Sequence, residues 1–135
     1  VGVLPKTMGS FRLVLLCTVV LSCLCAVQAK VRVWGISGSG ITGDPVGAPD
    51  PYVKVYCGNS FGGMTDFQKD TANPSWNVEF NFPNSGVGDN LKLEIWDKDL
   101  NYDDKLGTCS STVKSGSYKV TCSFGKGTLF YHYST

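Results

Sequence analysis

An all-β chain, an eight-stranded antiparallel β-sandwich, is predicted by three observations. From Lys30 onward apolar and polar residues alternate with period two; glycine, proline and asparagine punctuate the alternation; and no stretch repeats its apolar residues at helical spacing. Short strands with one apolar face each must bury those faces against a second sheet.

The first strand spans Val31 to Ser37. Tyr52 to Gly58 sets Val53, Val55 and Cys57 against Tyr52, Lys54 and Tyr56, and Met64 to Lys69 follows a Gly62-Gly63 turn. Asn77 to Phe82 points Val78, Phe80 and Phe82 to one side and Asn77, Glu79 and Asn81 to the other. Leu91 to Trp96 comes after a proline and glycine loop. Thr108 to Ser111, Tyr118 to Phe124 and Thr128 to Tyr133 complete the set.

Residues 1–29 precede this pattern. Met8 to Arg12 is a short basic start, Leu13 to Cys25 is an apolar run broken only by Thr18 and Ser22, and Val27-Gln28-Ala29 offers small residues for cleavage. This is the pattern of a secretory signal peptide, too short for the ~20 residues of a membrane span. Translation is expected to begin at Met8 and cleavage to follow Ala29, leaving residues 30–135 as one secreted, soluble domain. Met8-Gly9 is no myristoylation signal, because Leu13 stands where Ser or Thr is needed.

The 106 residues from Lys30 carry ten basic and eleven acidic side chains, near −1. Nothing in that balance suggests nucleic acid as a partner. Cys17, Cys23 and Cys25 leave with the leader. Cys109 and Cys122 bracket a turn-rich segment and are expected to pair; closing such a loop stabilises by about 3 kcal/mol. Cys57 remains. In phase with Val53 and Val55, it is either a buried free thiol or the site of a disulfide-linked dimer.

Chemistry concentrates in Trp96 to Gly107, where Asp97, Asp99, Asp103 and Asp104 follow directly on a strand. Asp44 and Asp50 lie in an earlier loop. If the sandwich brings the two loops together, about five carboxylates share one pocket, an oxygen-rich site suited to Ca2+. Without a counter-ion each pair near ~5 Å repels by about 3 kcal/mol at an effective dielectric of 20. The body left over would then carry about +4. The alternative, a solvated turn, sits less well with Leu106-Gly107 closing the run and with the second acidic loop.

Other motifs fail on context. Gly38-Ser39-Gly40-Ile41-Thr42-Gly43 matches the dinucleotide-binding glycine pattern, but the following Asp44-Pro45-Val46-Gly47 cannot open a helix. Asp97, Asp99 and Asn101 begin like an EF-hand loop, yet Tyr102 replaces its turn glycine and Thr108 its closing glutamate. Trp34, Trp76 and Trp96 are expected to pack rather than form a ligand platform. His132 has no visible nucleophile or second base, so no enzyme is expected. Asn73-Pro74-Ser75 is not a glycosylation site, having proline in the middle.

Gly43-Asp44, Asp50-Pro51-Tyr52-Val53-Lys54-Val55, Asn73-Pro74-Ser75-Trp76, Trp96-Asp97-Lys98-Asp99 and Asp103 to Cys109 together resemble C2 domains over nearly all of residues 30–135. Ser115 to Cys122 and the closing Tyr131-His132 resemble the perforin type in particular. The resemblance implies a sandwich whose loops bind Ca2+ and dock on phospholipid, with Asp44, Asp50, Asp97, Asp99 and Asp104 as ligands and Asp103 an alternative to Asp104. It places Thr42 and Pro45 at the membrane-contacting tip of the first acidic loop and Leu100 and Tyr102 at that of the other. These tips carry fewer aromatics than the perforin type, and only a signal peptide precedes the domain. The expected product therefore inserts weakly and forms no pore by itself, with a role in immune defence as the resemblance's implication.

Two rivals stand beside this reading. One is a calcium-stabilised extracellular module that binds protein and no lipid. The other is a small calcium-using hydrolase, disfavoured by the lack of a histidine near the acidic loops.

Overall fold

The structure, a computed structural model, describes residues 30–135 apart from Asp44 and Val46. The expected leader, translation start and cleavage site lie outside the described residues. Nine strands form two antiparallel sheets, and no helix is found among the described residues.

One sheet contains β1 (Val31–Ser39), β4 (Ser75–Trp76), β5 (Phe80–Phe82), β8 (Ser117–Ser123) and β9 (Thr128–Ser134). Its order is β4-β1-β9-β8, with β5 also on β1. The second contains β2 (Pro51–Cys57), β3 (Ser60–Met64), β6 (Asn90–Asp97) and β7 (Asp104–Thr112), in the order β3-β2-β6-β7. Alternation decides which side chains meet between them. Val31, Val33, Leu129 and Tyr131 come from one sheet and Val53, Val55, Leu91, Leu93 and Ile95 from the other, all fully buried.

The ninth strand arises where one was expected from Asn77 to Phe82. β1 carries a bulge between Trp34 and Ser37, so Ile36 pairs with Trp76 and Val33 with Phe80, and residues 77–79 pass over the irregularity unpaired. Phe80 and Phe82 enter the core as expected, whereas Val78 lies exposed.

A second correction concerns the strand expected over Met64 to Lys69. The turn is at Gly58-Asn59, giving a two-residue hairpin in which Cys57 pairs with Ser60. Gly62 and Gly63 therefore lie within β3. A Cβ on Gly62 would run into the Phe82 ring. Bare backbone there lets the β5 phenyl rings close one side of the sandwich.

Cys109 and Cys122 form the expected disulfide, Cα to Cα 6.0 Å, which ties β7 of one sheet to β8 of the other. Cys57 is free and fully buried. Of the two readings of Cys57, the buried free thiol is the one found, since its phase with Val53 and Val55 turns the sulfur into the core, and a dimer linked through it finds no support.

The tryptophans pack as expected. Trp76 is buried and its indole N–H donates to the Asp66 carbonyl at 2.8 Å. Trp34 stacks on His132 at 5.5 Å, and Trp96 lies under the Lys54 ammonium at 4.2 Å.

Candidate functional site

Segments far apart in sequence meet at one rim. The Lys98 amide donates to the Asp50 carbonyl at 2.9 Å, the Thr71 amide to Pro49 at 2.9 Å, the Ile41 amide to Ala72 at 2.9 Å and the Thr42 amide to Lys126 at 2.7 Å. The first loop (residues 40–50), the second (65–74) and the third (98–103) are thereby fastened to one another and to the β8–β9 turn. Of the Gly38 to Gly43 glycine motif, Gly38 and Ser39 end β1 and residues 40–43 continue as loop, with no helix. Among the described residues no helix is long and apolar enough to cross a membrane.

Asp97 anchors this rim. It ends β6, is 4% exposed, and its Oδ1 accepts the Asp50 amide at 2.8 Å. A carboxylate so buried needs such a donor. Gly43 approaches from the other side: a Cβ there would stand 2.6 Å from Asp97 Oδ2, so only glycine lets the first loop lie this close to the carboxylate. Asp50 Oδ1 in turn accepts the Asp70 amide at 2.7 Å. Asp70 is the one non-glycine residue with positive φ among the described residues, 54°, a conformation that aspartate tolerates better than most.

Asp103 is held differently. Its Oδ2 accepts the Tyr52 hydroxyl at 2.6 Å, its Oδ1 accepts the Asp99 amide at 3.1 Å, and the Lys98 ammonium lies 3.5 Å away. The hydrogen bond from Tyr52, with that from the Asp99 amide, holds the Asp103 carboxyl below the usual aspartate range. Burial, with the bond to Asp103, pushes the Tyr52 phenol well above the usual tyrosine range. Asp104 opens β7 exposed to solvent and directly opposite Asp97.

The structure thus joins Asp50 to Asp97 and Asp99 to Asp103, and sets Asp104 opposite Asp97. Asp44 lies outside the described residues. Among the described residues no three acids, imidazoles or thiols are gathered closely enough to hold a metal as they stand. The donor set nevertheless fits a hard cation. It is entirely oxygen, and the cross-strand pair Asp97–Asp104 is a like-charge pair, which destabilises a sheet unless something offsets it.

At the tip of the third loop Leu100 is 104% exposed and Tyr102 87%. Thr42 and Pro45 are also exposed, and the Thr42 hydroxyl donates to the Lys126 carbonyl at 3.3 Å. Three contributors went unforeseen in the sequence: Asp70, which acts through its amide; Tyr52, whose hydroxyl reaches the third loop; and Phe67, exposed beside the rim. Phe67 lines a cleft of about 260 Å³ with Tyr52, Lys54, Met64 and Lys98.

A two-sheet sandwich with three fastened loops and an acidic rim defines the class: the chain belongs to the C2 domain family, whose model matches residues 29–124. Its relatives include human perforin-1, 38% identical over 111 residues, 78% of this chain and 19% of the relative. Extended synaptotagmin-1 of Pongo abelii is 42% identical over 69 residues, 50% of this chain and 6% of the relative. The chain therefore spans about a fifth of the length of the perforins it matches. Among solved structures, a C2 domain superposes with TM-score 0.73 at 36% identity, covering 78% of this chain and 95% of that one. A structure holding two C2 domains of extended synaptotagmin 2 shares the fold, with TM-score 0.70 at 23% identity, covering 79% of this chain and 40% of that one.

Proposed function

We propose that the chain is a secreted, calcium-dependent phospholipid-binding module and not an enzyme. One observation carries this reading: the rim that holds the Asp50–Asp97 contact also fastens the third loop, whose tip leaves two large side chains, Leu100 and Tyr102, almost wholly in water. Exposed apolar side chains beside an acidic rim suit an interface that is apolar below and anionic above.

Asp44, Asp50, Asp97, Asp99 and Asp104 are the residues that would hold Ca2+. When bound, the ion neutralises the rim and offers coordination positions to lipid phosphate or carboxylate oxygens. The protein's own residues do the rest. Leu100 and Tyr102 enter the interface, each worth roughly 1.5 to 3 kcal/mol when buried. Lys98 and Lys126 lie near the rim, and a lysine near an anionic surface adds about 1 kcal/mol. Neither contribution alone gives firm attachment, so binding is calcium-gated. Extracellular calcium modules have dissociation constants of about 10⁻⁴ to 10⁻³ M, and this range is expected here, tightening with lipid.

Secretion is supported by the apolar run before Lys30 and by the Cys109–Cys122 disulfide, a bond of oxidising compartments. The similarity to perforin supports a role in immune defence. Co-sedimentation with anionic liposomes, in calcium against chelator, tests the reading. Wild type should pellet only with calcium, and Asp97→Asn with Asp99→Asn should stay in the supernatant while remaining folded. Undiminished pelleting of that double variant would refute the assignment, and calcium binding without lipid binding would favour a protein-interaction module.

A further inference from the structure

The acidic run offers two adjacent aspartates, Asp103 and Asp104, and the geometry treats them unequally. Both Asp103 oxygens are engaged within the protein, by the Tyr52 hydroxyl and the Asp99 amide. Tyr52 is a rigid post: it is 6% exposed, stands opposite Trp96 across β2 and β6, and stacks on that indole at 6.5 Å. The other root of the third loop is fixed where the Lys98 amide meets the Asp50 carbonyl at 2.9 Å. Residues 99–102, with both exposed tips, are thus strung between two fastened points.

We infer that Asp103 is a positioning residue and not a cation ligand: with Tyr52 it latches the third loop before any ion arrives, placing Asp99 for coordination and leaving Asp104 as the last carboxylate of the set. The inference rests on the calcium reading above. A loop ordered in advance does not spend binding free energy on its own ordering, so the latch sets calcium affinity without touching calcium.

The alternative makes the opposite prediction for one conservative change. If Asp103 were a ligand restrained by Tyr52, removing the hydroxyl would free it and calcium would bind as well or better. If Asp103 positions, Tyr52→Phe weakens calcium binding by roughly tenfold, the loss of one charge-assisted hydrogen bond. Calorimetric titration with CaCl2 and no lipid reads this directly. A second, metal-free readout is amide hydrogen exchange at Asp99 in chelator, which should accelerate in Tyr52→Phe. Asp103→Asn keeps one acceptor oxygen, enough for the phenol or the Asp99 amide but not for both, so it should lose affinity about as Tyr52→Phe does, whereas Asp104→Asn should lose far more. Unchanged or tighter calcium binding by Tyr52→Phe, or a larger loss in Asp103→Asn than in Asp104→Asn, overturns the inference. Failure of the calcium reading is separately visible: wild type would then give no heat with CaCl2, whatever the exchange at Asp99.

Discussion

Replacing Leu100 and Tyr102 together by alanine separates attachment from folding. Leu100 is 104% exposed and Tyr102 87%, so neither packs in the domain and neither contributes burial to its stability. On the proposed reading their apolar surface leaves water only at a membrane, where each side chain would be worth about 1.5 kcal/mol at the lower bound. The pair then contributes about 3 kcal/mol to attachment, or ~150-fold in the partition constant. Titrating liposomes at fixed calcium and following co-sedimentation measures that constant. The melting temperature and the lipid-free calcium affinity should stay at wild-type values. Vesicle binding within threefold of wild type would refute the reasoning, and so would a drop in melting temperature matching the loss of binding, since that would make the two residues structural.

Two further outcomes concern the scaffold. Changing Cys109 and Cys122 to serine opens a loop whose ends are 13 residues apart. It should cost about 3 kcal/mol and lower the melting temperature by more than about 10 °C, read by calorimetry. Glu94 supplies the pH dependence. Burial raises its carboxyl pKa, but Lys105 at 2.7 Å, with Lys92, outweighs this and holds it below the ordinary glutamate value of 4.5. Its contribution to stability is therefore present above that value and is lost as pH falls through the lower folded one. Lys105→Ala should destabilise in denaturant titrations at pH 7 and progressively less at acid pH, below 4.5. An equal loss across that range would make Lys105 a packing residue.

The strands were legible where one residue's direction follows from its neighbour's. Val53-Lys54-Val55 and Leu91-Lys92-Leu93 read directly as half-buried strands and stand so. The break between β4 and β5 was not legible, because its cause is a bulge in β1, some forty residues earlier in the chain. Gly62-Gly63 read as a turn for a similar reason: the Phe80 and Phe82 rings that require bare backbone there come from another sheet. At the rim, residue type announced the acids and alternation placed Asp97 at the end of β6. The division between Asp103 and Asp104 depends on the Tyr52 hydroxyl reaching across 51 residues, which no local pattern carries. Asp70 acts through its main chain, so its side chain gave no signal.

The bridge between Cys109 and Cys122 has a mechanical meaning. β7 begins with Asp104 at the rim, and β8 leads into the turn whose Lys126 carbonyl holds Thr42. Pulling on a tip lodged in a bilayer would tend to shear one sheet past the other, and the covalent tie lies across that slip plane. Under tension the sandwich should let go of the lipid before its two halves part.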